Sequence, residues 1–365
     1  MRNERTSRGV KPERICVPIT DAEKESLLER IGAPDATLVA GVDGLAWIES
    51  ETNERLSKEL RHVARTQELK WLTQALDAGA GCGTLRIVDV GSAGGLHGRW
   101  GRVGRYLTIY SFDPLEKCAG GRERQIKRYP FGLGAQEGRH KFYQTKFENM
   151  SSLKMPIMDV AKRYQRMSGK RMDDQMHVKS VRDVDVRRLD DVLPREYPDF
   201  MKIDTQGSEY EVLQGAEAAL SASVVSVEVE ISFLYRYSEQ CTPWDVDRFL
   251  RERGFELLDW IALKRHLRSN PLGVGKARLP EEGRTGRIAY GDAVYVLSRE
   301  ELARRVRRDS RHGWSRSLRS CVAAHYVYGK LDECAALLEE YGNALSDEEA
   351  AGWVNSIQWL LVQSE

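Results

Sequence analysis

Long apolar runs are missing from this 365-residue sequence. No stretch approaches the roughly 18 consecutive apolar residues that a membrane-spanning helix needs. The basic residues of segment 1–14 are not followed by the apolar segment that a signal peptide carries. We therefore expect a cytoplasmic protein without a membrane span.

An excess of charge of one sign is also missing. Lys and Arg together number 56 and Asp and Glu 55, which gives a formal net charge of +1. Because a protein dedicated to nucleic acid usually carries a basic surplus, this balance argues against nucleic acid as the main partner.

Residue patterns for several kinds of site are absent. The six cysteines are scattered and contain no CxxC pair, which predicts reduced thiols and not a disulfide framework. The seven histidines contain no HxxxH spacing, so we expect no metal site. The serine-hydrolase sequence G-x-S-x-G does not occur either.

Length and composition predict two to three domains, and 41% hydrophobic residues are enough for a large core. In residues 1–80, a polar start that we expect to be disordered precedes two predicted helices, at 20–31 and 54–78. Residues 300–365 are also predicted to be helical, with a break near Gly329. We interpret both segments as helical extensions that either pack on the central domain or bind a partner, including a second copy of the chain.

The central segment, residues 81–299, has a different pattern. Short, nearly continuous apolar runs alternate with helical stretches, as in parallel sheets that are covered on both faces. We therefore predict a doubly wound, mostly parallel α/β sheet. The predicted strands are 85–90, 107–112, 200–204, 224–231, 255–261 and 292–297, and the helices between them include 208–220 and 243–253.

Two further stretches of this segment depart from the pattern. Glycines at threefold spacing in 96–105 predict a short or broken helix, because each glycine costs a helix about 1 kcal/mol relative to alanine. Residues 151–180 form an enlarged basic insertion, which is either a solvated helix or a lid over the substrate.

The turn after the first predicted strand is rich in glycine. Asp89 lies at the strand end, and glycines follow at positions 91, 94 and 95. Ala93 and Leu96 stand where a dinucleotide-binding G-x-G-x-x-G would need its later glycines. An acid before such a turn favours a ligand with an amino group and a ribose but no phosphate, which describes S-adenosylmethionine. The alternative is a tight turn of purely structural purpose.

The second predicted strand ends at Asp113-Pro114. A carboxylate at this place can hold two ribose hydroxyls, and the proline prevents the strand from continuing. An Asp at a strand end is also a common turn residue.

The segment 200–216 carries a longer motif. Its sequence, FMKIDTQGSEYEVLQGA, resembles the K-[IV]-D-x-[QE]-G-x-E-x-x-x-L-x-G-A motif of the FkbM-type methyltransferase family. The resemblance spans roughly residues 85–297. Shorter matches are the glycine turn Asp89–Gly95, Phe112-Asp113-Pro114, Leu189–Leu193, Val227–Glu230 and Gly291–Ala293.

This resemblance implies a class I methyltransferase that uses S-adenosylmethionine. It implies a seven-stranded, Rossmann-like sheet for residues 81–299, and transfer of a methyl group to a hydroxyl of a carbohydrate or another secondary metabolite. Two alternatives stay open. One is methylation of a ribose 2′-hydroxyl in RNA, for which the arginines at 304–311 would bind phosphates, and the other is a non-catalytic scaffold with a vestigial pocket.

The candidate site residues lie at the predicted strand ends. Methyl transfer needs an aligned nucleophile and a group that removes its proton. Asp204 is the first candidate for that base or for holding the acceptor hydroxyl, and Glu209 and Glu230 are the other candidate catalytic carboxylates. The structural alternatives are a helix cap for Asp204 and a charge on the helix dipole for Glu209. The candidate cofactor-binding residues are Asp89, Gly91, Ser92, Gly95, Asp113, Pro114 and Gln206.

Overall fold

The computed structural model describes residues 13–18, 37–40, 45–50, 70–77, 84–92, 95–115, 125–272, 285–309 and 314–364. The chain divides into two compact units, Cys82–Glu333 and a second one made of Met1–Gly81 with Cys334–Glu365. In the described ranges the strands are, in chain order, β1 (Glu13–Pro18), β2 (Thr37–Ala40), β3 (Leu45–Ser50), β4 (Leu85–Val90), β5 (Leu107–Phe112), β6 (Ile126–Tyr129), β7 (Gly132–Leu133), β8 (Gly138–Thr145), β9 (Tyr164–Arg166), β10 (Val178–Arg187), β11 (Phe200–Ile203), β12 (Ser226–Ser232), β13 (Phe255–Trp260), β14 (Lys264–Arg268) and β15 (Arg287–Leu297).

The main sheet of unit Cys82–Glu333 is mixed. Five parallel neighbours, in the order β6-β5-β4-β11-β12, form one half. The ladders of β15 with β12, β13 and β14, and of β14 with β9, are antiparallel. The predicted seven-stranded, mostly parallel sheet is thus corrected to a mixed sheet of nine strands in the described part of the chain. The strands that were not predicted, β6, β9 and β14, are short and contain few apolar residues, so they give no apolar run in the sequence.

The core of this unit lies around the central parallel strands. Their apolar side chains are buried on both faces, and each contributes about 1.5 to 3 kcal/mol relative to an exposed position. Examples that are at most 1% exposed are Ile87 and Val88 in β4, Met201 and Ile203 in β11, and Val227, Val229 and Ile231 in β12.

A small second sheet has the order β7-β10-β8. Phe142 of β8 packs with Val184 and Val186 of β10 in an apolar cluster, against which Leu115 and Leu153 also pack. The other side chains of β10 are mostly exposed. The small sheet therefore has one apolar face and one solvated face.

The helices are mostly short. They are Met158–Ala161, Met172–Gln175, Leu189–Val192, Glu209–Gln214, Glu217–Ala222, Pro243–Arg251, Arg299–Asp309, Arg316–Val327, Leu331–Tyr341 and Asp347–Ser364, and residues 70–77 are also helical. Among the helices that can be described, none combines the length and the apolar character needed to cross a bilayer.

Two predicted helices of the central domain can be compared with the structure. The helix Pro243–Arg251 confirms the predicted start, since Thr242 caps it and Asp245 completes a reciprocal capping box. The predicted helix 208–220 is divided into two at Gly215. A Cβ at this glycine would lie 2.1 Å from the carbonyl oxygen of Gly134, so the close approach of the two backbones requires glycine here.

Two other predictions concern irregular segments. The predicted broken helix at 96–105 consists of two 3₁₀ helices, Gly98–Arg102 and Gly104–Tyr106. The basic insertion 151–180 contains single-turn helices and β9, and Met172 and Met176 are buried in a cluster with Tyr237. This insertion therefore does not form the long solvated helix that was one of its two predicted forms.

The first helices of the predicted C-terminal extension belong to unit Cys82–Glu333. Arg305 is buried and donates from Nη1 to the carbonyl oxygen of Val224 at 2.9 Å. Arg316 donates to both carboxylate oxygens of the buried Asp199, at 2.9 and 2.7 Å. Because these bonds join the helices to the ends of the sheet, the structural division falls after residue 333 and not at the predicted boundary of 300. The predicted break near Gly329 is confirmed by its φ of +73°.

Residues 1–80 were predicted to form a helical extension, but the unit to which they belong also contains strands. β1, β3 and β2 form an antiparallel sheet in that order, which corrects the helical interpretation of the N-terminal segment. β3 contains the short apolar run Leu45–Ile48, which suits a strand better than a helix. Residues 70–77 are helical, as predicted for 54–78, whereas the predicted helix 20–31 and the predicted disordered start lie outside the described residues.

Candidate active site

A cavity of about 300 Å³ lies at the carboxyl ends of the parallel strands. β4 has β5 on one side and β11 on the other, so the chain leaves β4 in one direction and later returns on its other side. Such a reversal of strand order opens a crevice at the sheet edge, where open α/β sheets bind their ligands.

The glycine turn after β4 forms part of the cavity wall. Gly91 has a φ of +78°, and its N–H donates to the carbonyl oxygen of Phe112 at 2.9 Å. A Cβ at this position would lie 1.9 Å from the carbonyl oxygen of Asp204, so glycine is required. Gly95 lines the cavity as well. Ser92 accepts a hydrogen bond from the Ser111 hydroxyl at 2.8 Å and is not one of the lining residues.

Asp89 does not line the cavity, although the sequence predicted a ligand contact. It is 1% exposed, and its Oδ1 lies 3.2 Å from Nζ of Lys202, its neighbour in the β4–β11 ladder. Lys202 does line the cavity. Burial opposes the charge on Lys202, but Asp204 and Asp89 together raise its pKa above the usual value. Asp89 therefore acts on the cavity through the ammonium group of Lys202.

Asp113 and Pro114 follow β5, which lies on the other side of β4 from β11 and β12, and they line the part of the cavity that we call its apolar end. Asp113 is 7% exposed, and its Oδ1 accepts from the N–H of Leu115 at 2.7 Å. The apolar side chains at this end are Phe112, Pro114, Leu115, Leu133, Phe142 and Leu153. A flat, weakly polar group fits such a lining.

Asp204 and Glu230 line the polar end and are joined by Gln206. The Nε2 of Gln206 donates to Oδ1 of Asp204 and to Oε1 of Glu230, both at 2.8 Å. The hydroxyl of Tyr237 donates to Oε1 of Gln206 at 3.1 Å, which fixes the orientation of the amide. Gln206 has a φ of +60°. Such a backbone costs about 1 to 3 kcal/mol and is found at positions that the surrounding structure holds in place.

Glu230 is also bound by a buried arginine. Nη2 of Arg236 lies 3.0 Å from Oε1 of Glu230. Burial and the neighbouring Asp204 raise the pKa of Glu230, while Arg236 opposes this shift. Since Arg236 does not line the cavity, its role there is to hold the carboxylate of Glu230.

The structure places Glu209 outside the cavity lining. Its carboxylate accepts from the N–H groups of Gly207 at 2.9 Å and Thr205 at 3.1 Å, and from the Thr205 hydroxyl. Burial raises its pKa. These bonds hold the turn that carries Gln206, so Glu209 shapes the site without facing the ligand space.

Several lining side chains were not among the predicted site residues, and the charged ones include Glu228, Arg99 and Asp292. Glu228 is paired with Arg99 at 2.8 Å, and Tyr328 donates its hydroxyl to the same Oε2 at 2.8 Å. A charged residue within the apolar run 224–231 was a usable signal for Glu228, whereas no local pattern indicated Arg99. The third, Asp292, lies opposite Glu230 in the β12–β15 ladder. Burial, Asp204 and Glu228 raise its pKa to about 6.

Acidic side chains outnumber basic ones around the cavity. Among the lining residues that the structure describes, the carboxylates are Asp113, Glu148, Asp204, Glu228, Glu230 and Asp292, and the Lys and Arg side chains are Lys202 and Arg99. The cavity thus favours a cationic ligand and disfavours a pyrophosphate.

An open α/β sheet with a cavity at its strand ends is the arrangement in which such proteins bind their ligands. A model of the methyltransferase FkbM domain matches residues 92–257. The matched region contains the motif at 200–216, from which the resemblance to this family was predicted.

Solved structures with some similarity include other methyltransferases. A methyltransferase FkbM from Methylobacillus flagellatus KT is 15% identical, with a TM-score of 0.33 over 59% of this chain and 44% of that chain. The magnesium protoporphyrin IX methyltransferase from Synechocystis PCC 6803, solved with bound S-adenosylmethionine, is 12% identical over 68% of this chain and 86% of that one, with a TM-score of 0.28.

A methyltransferase that acts on 1,6-didemethyltoxoflavin in Burkholderia thailandensis is 10% identical, over 72% of this chain and the whole of that one, with a TM-score of 0.23. This chain therefore spans less than half of the Methylobacillus protein and most or all of the other two. No functionally curated protein matches the sequence.

Proposed function

We propose that this protein is an S-adenosylmethionine-dependent O-methyltransferase that methylates a hydroxyl of a carbohydrate or another secondary metabolite. The observation that carries the proposal is the single cavity with two unlike ends. Its apolar end contains Asp113, and its polar end contains Asp204, Glu230 and Asp292. One ligand with a base, a ribose and a cationic group can contact both ends.

The residues present fit this cofactor. The apolar end suits the adenine ring, Asp113 suits the ribose hydroxyls, and the backbone of the glycine turn at Gly91 and Gly95 allows close approach. The surplus of carboxylates suits a sulfonium and an ammonium group. Lys202 and Arg99 are the basic side chains of the described lining, and they suit the carboxylate of the same molecule.

The chemistry also follows from the polar end. S-adenosylmethionine supplies a methyl group that is already activated by its positive sulfur. The protein has to align the acceptor hydroxyl and remove its proton, and alignment alone can contribute about 7 to 11 kcal/mol. Asp204 has one carboxylate oxygen bound by Gln206 and can hold the acceptor hydroxyl with the other. Gln206 and Arg236 keep Asp204 and Glu230 in fixed positions for this purpose.

The alternative of RNA methylation is not favoured by the arginines at 304–311. Arg305 is 2% exposed and bonded to two backbone carbonyls. Arg304 is paired with Glu301, and Arg308 with the adjacent Asp309. These three side chains have partners within the fold, so the described part of the cluster, in which Arg307 is also exposed, has less free basic surface than the sequence suggests.

Calorimetry with S-adenosylmethionine tests the proposal. We expect binding by the wild-type protein, a dissociation constant at least tenfold higher for Asp113→Ala, and no change for Asp183→Ala, which removes an exposed carboxylate from β10. Incubation with the methyl-labelled cofactor and a host extract should then label a glycan or small-molecule fraction. Absence of binding heat would support the scaffold alternative, and label in the RNA fraction would support the nucleic-acid alternative.

A further inference from the structure

The carboxylates at the polar end of the cavity differ in how many partners they have. Glu228 receives hydrogen bonds from Arg99 and Tyr328, and Glu230 receives them from Gln206 and Arg236. These bonds favour the ionised form of the two carboxylates, although burial and Asp204 still leave the pKa of Glu230 above its usual value. Both groups therefore already have partners within the protein.

Asp204 and Asp292 are less engaged. Gln206 donates to Oδ1 of Asp204. The carboxylate of Asp292 makes no hydrogen bond and no ion pair with any residue in the described ranges of the chain, although it lines the cavity and is partly buried. Desolvation without a compensating hydrogen bond is unfavourable for a carboxylate, so its position is suited to a ligand proton and not to the stability of the fold.

Asp292 lies at the polar end of the cavity, where the acceptor hydroxyl is proposed to bind. It pairs with Glu230 across the β12–β15 ladder, and Cβ atoms of directly opposed residues in such a ladder are about 4.5 to 5.5 Å apart. The charged groups that face it are Lys202 of β11 and Asp204 directly after it, Glu228 and Glu230 of β12, and Arg99 from the segment after the glycine turn.

We propose that Asp292 is a catalytic residue of the methyl transfer, the general base that accepts the proton of the acceptor hydroxyl. This inference rests on the proposed function. The acceptor oxygen uses a lone pair to form the new bond to the methyl carbon, and the electron pair of the broken carbon–sulfur bond stays on sulfur, which becomes neutral. The O–H electron pair stays on oxygen, and the proton moves to Asp292, which later releases it to water.

The electrostatic setting agrees with this role. Burial and the neighbouring carboxylates raise the pKa of Asp292 to about 6, so at pH 7 to 8 the group is mostly ionised and yet more basic than an ordinary aspartate. A base is most effective when its pKa lies near the working pH, and a positioned base contributes about 10²- to 10⁴-fold in rate.

The test compares Asp292→Asn with the wild type in two measurements. The first is the initial rate of label transfer to the acceptor fraction that the wild-type protein labels. We expect a fall of about 100-fold or more at pH 8, and in the wild type a fall in rate below pH 6 that the variant lacks. Asp292→Glu, which keeps the carboxylate, should recover part of the rate.

The second measurement is calorimetry of S-adenosylmethionine binding at pH 6 in buffers with different ionisation enthalpies. A cation close to Asp292 lowers its pKa, so the wild-type protein should release part of a proton on binding. Asp292→Asn should release less, and by the same coupling it should bind the cofactor severalfold more weakly. The neutral product S-adenosylhomocysteine should cause less release than the cofactor.

The possible failures are distinguishable. If the wild type neither binds the cofactor nor transfers label, the proposed function fails and the inference fails with it. If the wild type does both, and Asp292→Asn keeps a rate within threefold and the same proton release, the inference alone is overturned. A fall in rate at saturating cofactor that is within threefold of the wild type, with weaker cofactor binding as the main change, would also overturn it, because Asp292 would then hold the cofactor and not serve as the base.

Discussion

Replacing Asp292 by Asn should stabilise the folded protein at neutral and alkaline pH. The pKa of this carboxyl in the folded state is about 6, above its ordinary value of 3.8. Between these two pH values the folded protein binds more protons than the unfolded chain, so stability falls as the pH rises through this window. An asparagine is neutral at every pH and avoids this loss.

The magnitude follows from the size of the shift. A displacement from 3.8 to about 6 is roughly two pKa units, and each unit corresponds to about 1.4 kcal/mol. If the side chain were fully buried, Asp292→Asn would therefore raise the free energy of unfolding at pH 8 by about 3 kcal/mol. Because the side chain is only partly buried, screening by solvent lowers this figure, and we expect about 1 to 3 kcal/mol.

Thermal unfolding of both proteins between pH 4 and pH 8 measures this effect. The variant should unfold at nearly the same temperature as the wild type at pH 4, and at a temperature a few degrees higher at pH 8. Asp245→Asn is the matched control of opposite sign, since hydrogen bonds from Thr242 hold the pKa of Asp245 below its usual value. A difference between Asp292→Asn and the wild type that does not change with pH, or a lower unfolding temperature at pH 8, would refute the reasoning.

Two further predictions concern the wall of the cavity. Gly91→Ala should lower the free energy of unfolding by more than Gly95→Ala, measured by urea denaturation. Both have a positive φ, which costs alanine about 1 to 2 kcal/mol, but only Gly91 also meets a backbone oxygen at 1.9 Å; equal losses would contradict the structure. Tyr328→Phe should raise the dissociation constant of S-adenosylmethionine severalfold in calorimetry, because Glu228 loses a hydrogen bond within the cavity wall. Tyr295→Phe removes a similar hydrogen bond to a carboxylate outside the cavity and should leave this dissociation constant unchanged. An equal rise of the dissociation constant in both variants would contradict the prediction and indicate a general loss of stability.

Much of the parallel half of the sheet could be predicted from the sequence. β4, β5, β11 and β12 are buried on both faces and therefore appear as apolar runs. β10 could not be found in this way, because only Val184 and Val186 of its ten residues are buried. The short, mostly polar strands β9 and β14 form by pairing near the sheet edge, and local sequence contains little information about such pairing.

The candidate site was predictable to the extent that parallel strands bring their carboxyl ends together. This rule indicated Asp113, Asp204 and Glu230, which line the cavity. It did not distinguish a side chain that faces a ligand from one that supports the wall. Asp89 and Glu209 carry the expected charge at the expected place, but one pairs with Lys202 and the other binds the turn at Gly207.

Asp292 illustrates why other residues of the candidate site could not be predicted from the sequence. β15 runs antiparallel to β12, so it does not present its carboxyl end at the cavity, and Asp292 stands in the middle of the strand Arg287–Leu297. A search for charged residues at strand ends passes over this position. The antiparallel register nevertheless sets Asp292 opposite Glu230, and a carboxylate in the interior of an otherwise apolar strand has a cost in desolvation that the fold does not offset with a hydrogen bond. Such an uncompensated cost is typical of a functional group, and it is the reason to assign the proton transfer to Asp292 and not to its better-bonded neighbours.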